Sequence, residues 1–348
     1  MTALTTLDSA FLRLEDGNTS LHIASVAVLD GPPPSYGEML ALFSAKLPEL
    51  PRFRQIVREA PLWLGRPSWA DAPDFEITAH LHRAALPTPG TDELLYELVE
   101  RLMSTHLDRG RPLWEAWLVE GLSDGRWALV TKVHHCVVDG VGGTDLLATV
   151  LGPWRSPSEV VEPAKWRPTP VSSALPVERR ARSPVDRVRA EAAGMLTAVR
   201  GLVHFADLAR PPSRSSLTGH LGHTRRWRPL QVPMADARSI AAALECTVND
   251  LVLAAVSRGF RDLLRSRGEP LRPDTVRTLV PVSTRTIDER GRAGNRITMM
   301  VAALPVHLAA PAARVRAVHA QTARLKRSGE AQAGSVIGKL TSLLPGPV

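Results

Sequence analysis

Two adjacent histidines, His134 and His135, are followed by Asp139 and Gly140 in the pattern HHxxxDG. A neutral imidazole has an ordinary pKa of about 6.5, so it can take a proton from a hydroxyl or thiol near pH 7. A carboxylate four residues after the second histidine can act as an anchor for the turn, and the glycine leaves room for a substrate close to the backbone. This spacing predicts a general base for acyl transfer.

The segment before the histidines predicts the element that positions them. From Trp127 to Val133 every second residue is bulky or β-branched, which favours a strand over a helix. Adjacent residues of a strand point to opposite faces, so only one histidine can face a given cleft. We therefore expect two different roles for the pair. The alternative is a structural histidine pair beside an ordinary Asp-Gly turn.

The rest of the chain reads as two domains with a connection between them. We expect a first domain over residues 1–155, a proline-rich basic linker over 156–215 and a second domain over 216–348. The predicted elements of the first domain are strands at 22–29, 74–80, 113–120 and 127–133, helices at 36–47 and 91–103, and a turn at 123–125. Those of the second are helices at 236–244 and 248–264 and strands at 276–282 and 296–306.

Composition limits the class of protein. The 348 residues include only two cysteines, Cys136 and Cys246, which suits a reducing compartment and argues against a disulfide framework. His80 and His82 have strand-like spacing that places both on one face, but without further ligands they predict no metal site. No signal peptide or spanning helix is evident. We expect a cytoplasmic protein with peripheral attachment to a membrane or lipid inclusion.

The positive charge is concentrated in one segment. Residues 163–228 contain 13 Lys or Arg and 4 Asp or Glu, whereas the whole chain carries a net charge of +8. The remaining chain is close to neutral and has no reader motif, so we expect no nucleic-acid partner. Apolar residues from Val185 to Ala206 recur at helical spacing between arginines and predict a basic amphipathic helix. It either binds anionic lipid or packs on its own domain with solvated arginines.

At this point the sequence resembles the bacterial wax ester synthase/acyl-CoA:diacylglycerol acyltransferase family, a branch of the HHxxxDG acyltransferases. The blocks that carry the resemblance occur in family order across nearly the whole chain. They are Leu7–Leu12 with Leu21-His22, Pro51–Arg54, Leu107–Glu115 with its Pro-Leu-Trp signature, Val248–Ala254, Val280–Arg285 and Gly294–Arg296. Family members continue well beyond Val348, so we expect an incomplete second domain: either the chain is a fragment, or a separate C-terminal segment supplies the rest.

The resemblance implies an α/β (α+β) fold. Two domains similar to chloramphenicol acetyltransferase, each a mixed sheet flanked by helices, would enclose an active-site tunnel. It also implies that His135 is the general base, that His134 supports the loop and that Asp139 forms a salt bridge. Arg285 is the expected partner of Asp139.

Four further residues receive expectations from their motif positions. Asn249 is a candidate oxyanion donor, and the equal alternative is that Asn249 and Asp250 cap the helix that begins there. Trp114, in the Pro-Leu-Trp block, is placed among the substrate-binding residues, with a role in shaping the fold or tunnel wall rather than in chemistry. Gly140 would lie against the substrate, and Asp250 would support the structure.

The resulting prediction is an O-acyltransferase that moves a long-chain acyl group from acyl-CoA to diacylglycerol or a long-chain alcohol. Acyl-CoA is a substrate, and no cofactor or metal is expected. Two alternatives stay open on the sequence: a condensation-type acyltransferase that uses a carrier-protein thioester, and a non-catalytic lipid-binding or lipid-body surface protein.

Overall fold

The computed structural model describes residues 2–59, 66–137, 150–152, 213, 215–283 and 297–327. Side chains are described for most of these positions. The elements of the first half are β1 (Thr2–Ala3), α1 (Thr6–Leu14), β2 (His22–Leu29), α2 (Tyr36–Lys46), β3 (Gln55–Arg58), β4 (Ser68–Asp71), β5 (Leu81–Ala85), α3 (Asp92–Ser104), β6 (Trp114–Glu120) and β7 (Trp127–His134). Those of the second half are α4 (Met234–Ala243), α5 (Val248–Ser266), β8 (Arg277–Ser283), β9 (Ile297–Ala303) and α6 (Pro311–Arg327).

A four-stranded mixed sheet forms the centre of the first half. Its strand order is β2-β7-β6-β5, with β7 antiparallel to both neighbours and β5 parallel to β6. All eight residues of β7 are buried, because the strand has a neighbour on each side and packed side chains on both faces. The strand that carries the histidine pair is therefore held from every direction.

The two faces of this sheet pack against different layers. Side chains such as Leu129 and Val133 join a large core with α1 and α2, while Ala128 and Val130 pack against α3. Trp114 and Trp117 of β6 belong to opposite faces in the same way. This alternation is the property of a strand that the sequence pattern predicts.

A short hairpin connects the two strands that meet at the site. Trp114 of β6 is paired with Val133 of β7, and the connection runs through Ser123–Gly125. Asp124 adopts a left-handed conformation with φ 61°, which Asp tolerates better than most residues. The hairpin predicted from the Ser-Asp-Gly turn is confirmed.

The second half is built from a helix layer on a two-stranded sheet. Strands β8 and β9 are antiparallel, and α5 and α6 pack together through Ala254, Val315 and Val318. Helix α5 begins with a capping box in which Thr247 and Asp250 satisfy each other's backbone amides. The N-cap of α5 is Thr247, one residue before the helix and two before Asn249.

A short segment of the second half lies on the first. The backbone amide of Trp227 and the guanidinium groups of Arg226 and Arg228 all donate to the carboxylate of Glu100 on α3. The ring of Trp227 packs edge-on against Tyr96, with 5.2 Å between centroids. These contacts connect residues 225–228 to α3.

Most predicted elements are present, with ends shifted by a few residues, but one prediction is wrong. Residues 74–80 do not form a strand: Ile77–Ala79 make a 3₁₀ turn, and the strand is β5. His80 and His82 consequently lie against different rings, His80 against Trp114 and His82 against Trp117. The two histidines do not share a face.

None of the described helices is both long and apolar enough to cross a bilayer by itself. Helices α4 and α5 meet the length and composition criteria only when taken together, and they meet at an angle of 95°. The predicted amphipathic helix at 185–206 lies outside the described residues.

Candidate active site

The histidine pair sits where β7 ends, between two strands that fix its backbone. The amide of His134 donates to the Leu113 carbonyl at 3.0 Å, on the β6 side. The amide of His135 donates to the Leu21 carbonyl at 2.8 Å, on the β2 side. The chain then turns, and the amide of Val137 donates back to the His134 carbonyl at 2.9 Å. Both histidines thus have fixed backbone positions before any side chain is considered.

The ring of His134 is only 1% exposed and faces protein on both nitrogens. Its Nδ1 accepts the backbone amide of Cys136 at 3.1 Å and lies 2.9 Å from the Cys136 Sγ. A nitrogen that accepts a backbone amide carries no proton, so the neutral ring has its proton on Nε2. That Nε2 points to the carboxylate of Glu15, with 3.6 Å to Oε1. This distance is longer than a hydrogen bond and corresponds to an electrostatic contact.

Glu15 follows the last residue of α1, and its side chain is buried. Oε2 accepts from the Arg109 guanidinium at 3.0 Å, and Oε1 accepts from the Leu21 amide at 3.1 Å. Burial by itself would raise the pKa of the Glu15 carboxyl, but His134, Arg109 and the Leu21 amide together lower this pKa to about 2. Glu15 is therefore an anion at neutral pH.

His135 has a different environment. Its ring is partly exposed and packs against Phe11 of α1, with 4.3 Å between centroids and a 37° angle between planes. Its Nδ1 is buried and has no hydrogen-bond partner among the described residues. A partly exposed histidine with a fixed backbone is suited to proton transfer, whereas the enclosed His134 ring is suited to support.

Cys136 follows the pair but is poorly suited to nucleophilic chemistry. Burial, together with the nearby negative charge of Asp8, raises the pKa of the Cys136 thiol far above its ordinary range. The thiolate is the nucleophilic form of cysteine, so this side chain is inert near neutral pH. In this site the group that can take a proton is the imidazole, not the thiol.

Trp114 lies in the core directly behind the motif strand. Its indole N–H donates to the Phe53 carbonyl at 2.8 Å, and its ring stacks on Phe43 and on His80. The side chain is 1% exposed, and its Cα is paired with Val133. The structure thus places Trp114 among packed aromatic side chains that support β7.

Asn249 and Asp250 lie in the first turn of α5. Asn249 is exposed, whereas Asp250 is buried and accepts from Thr247, from His319 Nδ1 at 2.9 Å and from Thr322 Oγ1 at 2.8 Å. Burial acts to raise the pKa of Asp250, but these hydrogen bonds lower it to about 2. Within the part of the chain that the structure describes, no hydrogen bond or ion pair joins either residue to His134 or His135.

Three of the predicted site residues are not placed. Asp139, Gly140 and Arg285 lie outside the described residues. Their assignments as salt-bridge partners and as the substrate-facing glycine remain predictions.

Three side chains at the site were not singled out by the sequence patterns. They are Phe11, Glu15 and Arg109, and each contacts a motif histidine or the residue that holds one. Phe11 and Glu15 are four residues apart, which brings both toward the histidine pair from the end of α1. Arg109 belongs to the Leu107–Glu115 block, which contains Pro-Leu-Trp, and it also donates to the Leu12 carbonyl at 2.8 Å. Glu15 lies outside the resemblance blocks, so no signal in the sequence paired the two charges.

Two open cavities border the first half of the chain. One of about 370 Å³ lies between β2, α3 and residues 225–227, with His22 and Met103 in its wall. The other, of about 420 Å³, lies between β3, residues 72–76 and the loop at 109–112. Across the described ranges, no group of three or more His, Cys, Asp or Glu side chains is arranged to hold a metal ion.

Comparison with protein families gives two matches. Residues 4–252 match the model described as "Wax ester synthase/diacylglycerol acyltransferase catalytic domain". Residues 293–348 match the model described as "WS/DGAT C-terminal domain". The two matches together cover the motif strand, the three resemblance blocks of the first half and the Gly294–Arg296 block.

Individual proteins and solved structures are also similar to this chain. The Mycobacterium tuberculosis H37Rv protein named "Probable diacyglycerol O-acyltransferase tgs1" is 39% identical over 355 aligned residues, which cover 100% of this chain and 76% of that protein. The wax ester synthase/diacylglycerol acyltransferase of Marinobacter aquaeolei VT8 has a similar structure, with a TM-score of 0.64, 23% identity and coverage of 98% of this chain and 76% of the other. The first condensation domain of the calcium-dependent antibiotic synthetase gives a TM-score of 0.62 at 19% identity, over 94% and 75% of the two chains.

Proposed function

Because the chain belongs to the wax ester synthase/diacylglycerol acyltransferase family, we propose that it transfers a long-chain acyl group from acyl-CoA to the hydroxyl of diacylglycerol or of a long-chain alcohol. The products are triacylglycerol or a wax ester, and free CoA. The observation that carries the proposal is the placement of His135, whose ring is partly exposed at the end of a fully buried strand. No cofactor is needed, since the thioester of acyl-CoA is already activated.

His135 acts as the general base in the proposed reaction. It takes the hydroxyl proton of the acceptor as the oxygen attacks the thioester carbonyl and forms the new C–O bond. The tetrahedral intermediate then breaks its C–S bond, and His135 returns the proton to the departing thiolate of CoA. The ester and the CoA thiol leave, and the histidine is neutral again.

The acyl group passes directly between the two substrates, which meet in a ternary complex. A covalent acyl-enzyme would require a nucleophile, and the adjacent Cys136 is kept protonated by its surroundings. The developing oxyanion requires a hydrogen-bond donor, for which Asn249 is the proposed residue. Asp139 and Arg285 would form the ion pair that anchors the motif loop, and Gly140 would lie against the substrate.

The acceptor is poorly soluble in water, so the proposed site of action is a membrane or a lipid inclusion. The basic linker at 156–215 is the proposed contact, because cationic side chains beside an apolar helical face bind anionic lipid surfaces. The substrates would enter a tunnel between the two domains, as the family resemblance implies. Phe11 packs on the ring of the proposed base, which fits a site built to keep His135 in one position.

The test measures free CoA and lipid product from the purified chain given palmitoyl-CoA with either hexadecanol or dipalmitoylglycerol. We expect thiol release together with wax ester or triacylglycerol. His135→Ala should lower turnover by about 100- to 10,000-fold while leaving the thermal melting temperature unchanged, because its backbone hydrogen bond to Leu21 persists. His82→Ala, the same substitution at another partly buried histidine of the sheet, is the matched control and should retain activity.

Each of these measurements has an outcome that would contradict the proposal. Full turnover by His135→Ala would remove His135 from the mechanism. Thiol release only when the acyl group is presented on a carrier protein would favour condensation-type transfer instead. Lipid binding without any thiol release would favour a non-catalytic lipid-binding protein.

A further inference from the structure

Glu15 is a buried carboxylate in contact with His134, and the proton transfer proposed above does not use it. Its side chain is 5% exposed, which is unusual for an ionised group. A buried charge is retained only when it is paired and hydrogen-bonded. The contacts of the Glu15 carboxylate therefore indicate what this charge does beside the HHxxxDG motif.

Arg109 holds the Glu15 carboxylate in place. One guanidinium nitrogen donates to Glu15 Oε2 at 3.0 Å and to the Leu12 carbonyl at 2.8 Å. The same arginine thus binds the end of α1 through the Leu12 carbonyl and through the side chain of Glu15, the residue that follows the helix. Because the arginine is always charged, it compensates for the buried anion at any pH at which the protein folds.

The charge of Glu15 selects the protonation pattern of His134. Oε1 lies 3.6 Å from His134 Nε2, so the anion attracts a proton to that nitrogen. Nδ1 is then free to accept the Cys136 amide, which closes the turn after the strand. With the proton on Nδ1 instead, this hydrogen bond would be lost and Nε2 would present its lone pair to a carboxylate. In the Ser-His-Asp triad a carboxylate fixes the tautomer of the neighbouring imidazole in the same way.

A second path runs from Glu15 to His135 through the backbone of Leu21. The Leu21 amide donates to Glu15 Oε1 at 3.1 Å, and the Leu21 carbonyl accepts from the His135 amide at 2.8 Å. Phe11, one helical turn before Glu15, packs on the His135 ring. The end of α1 therefore reaches both histidines, His134 by charge and His135 by a shared backbone residue and a ring contact.

We propose that Glu15, held by Arg109, is a positioning residue for the transfer reaction: it sets the Nε2–H tautomer of His134 and fixes the turn from which His135 reaches the acceptor hydroxyl. The proposal deepens the proposed function and rests on it. Glu15 touches neither substrate, and it acts on His135 only through His134 and Leu21.

The first test replaces Glu15 with the isosteric amide. Glu15→Gln keeps the shape but loses the charge, so we expect kcat with palmitoyl-CoA and hexadecanol to fall by about 100-fold with little change in KM for palmitoyl-CoA. Glu120→Gln is the matched control, because Glu120 also binds an arginine, Arg83, with both carboxylate oxygens at 2.9 and 3.0 Å. It lies at the opposite end of β6 from Trp114 and should keep the wild-type kcat.

The second test determines directly which nitrogen of the His134 ring carries the proton. In protein labelled with ¹⁵N-histidine, the wild-type His134 signals should report a proton on Nε2 and an unprotonated Nδ1. In Glu15→Gln the signals should move to a mixture of tautomers, while Glu120→Gln leaves them in place. Arg109→Lys retains a cation but cannot reproduce the guanidinium hydrogen bonds to Glu15 and to the Leu12 carbonyl. Its kcat should lie between those of the wild type and Glu15→Gln.

The outcomes separate this inference from the proposed function. If the wild-type chain releases no CoA with any acceptor, the proposed function fails, whereas the His134 spectrum still reports on Glu15. If the wild-type chain is active and folded Glu15→Gln keeps full kcat, the inference is overturned. A wild-type His134 protonated on Nδ1 overturns it as well, and this result needs no variant to fold.

Discussion

His319 of α6 donates through Nδ1 to the carboxylate of Asp250 at 2.9 Å and thereby joins two helices of the second half. The same carboxylate accepts from Thr247 in the capping box of α5 and from Thr322 one helical turn along α6. At 1% exposure Asp250 has no access to water, so these partners carry its entire hydrogen-bonding requirement. The Val248–Ala254 block of the family resemblance therefore contains a structural contact between helices.

Asp250→Asn should destabilise the protein. The amide keeps the size of the carboxylate but replaces an acceptor oxygen with a donor, which leaves buried groups unpaired at a cost of about 1 to 3 kcal/mol. Asp262→Asn is the matched control on the same helix, because Asp262 pairs with Arg258 at the surface. We expect a smaller loss there, since exposed ion pairs contribute little. Urea unfolding of the three proteins measures the difference, and equal losses would contradict it.

The contribution of Asp250 should depend on pH in a defined direction. Folding lowers the pKa of this carboxyl from 3.8 to about 2, so the ionised form stabilises the native state above pH 4. As the pH falls from about 4 through about 2, the native carboxylate is protonated and the stabilisation is lost. The difference in unfolding free energy between wild type and Asp250→Asn should thus be complete at pH 6 and shrink toward pH 2. A difference that grows on acidification would contradict the assignment.

Trp114 and Trp117 offer a second comparison of one substitution at two positions. The indole N–H of Trp114 donates to the Phe53 carbonyl, whereas that of Trp117 is buried without a partner among the described residues. Trp114→Phe leaves a cavity and an unpaired carbonyl, so we expect a loss of about 2 to 4 kcal/mol. Trp117→Phe removes an unsatisfied donor and should cost less. Guanidinium unfolding monitored by circular dichroism measures the loss of stability in each variant. A larger loss in Trp117→Phe than in Trp114→Phe would contradict the assignment of Trp114 to the core.

Three strands of the first half, β2, β6 and β7, could be predicted because their packing imposes a period of two. Strand β2 has the predicted bounds, His22–Leu29, and β7 extends the predicted strand by one residue to His134. The family, the α/β architecture and the O-acyltransferase class expected from the ordered blocks are confirmed by the family matches and by the similar structures. Motif order along the chain carried information that no single motif contained.

The failed strand at 74–80 has a physical reason. Phe75, Ile77 and Ala79 alternate with polar residues, and a short alternating run does not distinguish a strand from an irregular segment. In the structure the amides of Ala79 and His80 donate three residues back, to Glu76 and Ile77. These local hydrogen bonds close a turn, and the strand starts only at Leu81.

The part of the site that sequence reasoning missed depends on distant pairing. Glu15 and Arg109 are separated by 94 residues, and each resembles many surface charges when taken alone. Only the packing of α1 against the end of β7 brings the carboxylate to His134. The different surroundings of the two histidines could be predicted from strand alternation, but the residue that fixes the first one could not.

Cys136 gives the last prediction, because a thiol next to the base could in principle carry the acyl group. Burial and the charge of Asp8 raise the pKa of this thiol, so at pH 7 it should remain protonated and react slowly. Cys246, which is partly exposed, has its pKa raised as well but is accessible to reagent. With a disulfide reagent we expect Cys246 to be modified under native conditions and Cys136 only after unfolding.

The same thiol can be tested during turnover. After incubation with palmitoyl-CoA alone, intact mass should show no acyl adduct, and Cys136→Ala should retain most of the turnover, since its backbone amide still donates to His134 Nδ1. The control is Cys246→Ala, which removes the other thiol of the chain. An acylated peptide containing Cys136, together with loss of activity in Cys136→Ala alone, would replace direct transfer with a covalent mechanism. A retained turnover without adduct leaves the imidazole of His135 as the group that moves the proton.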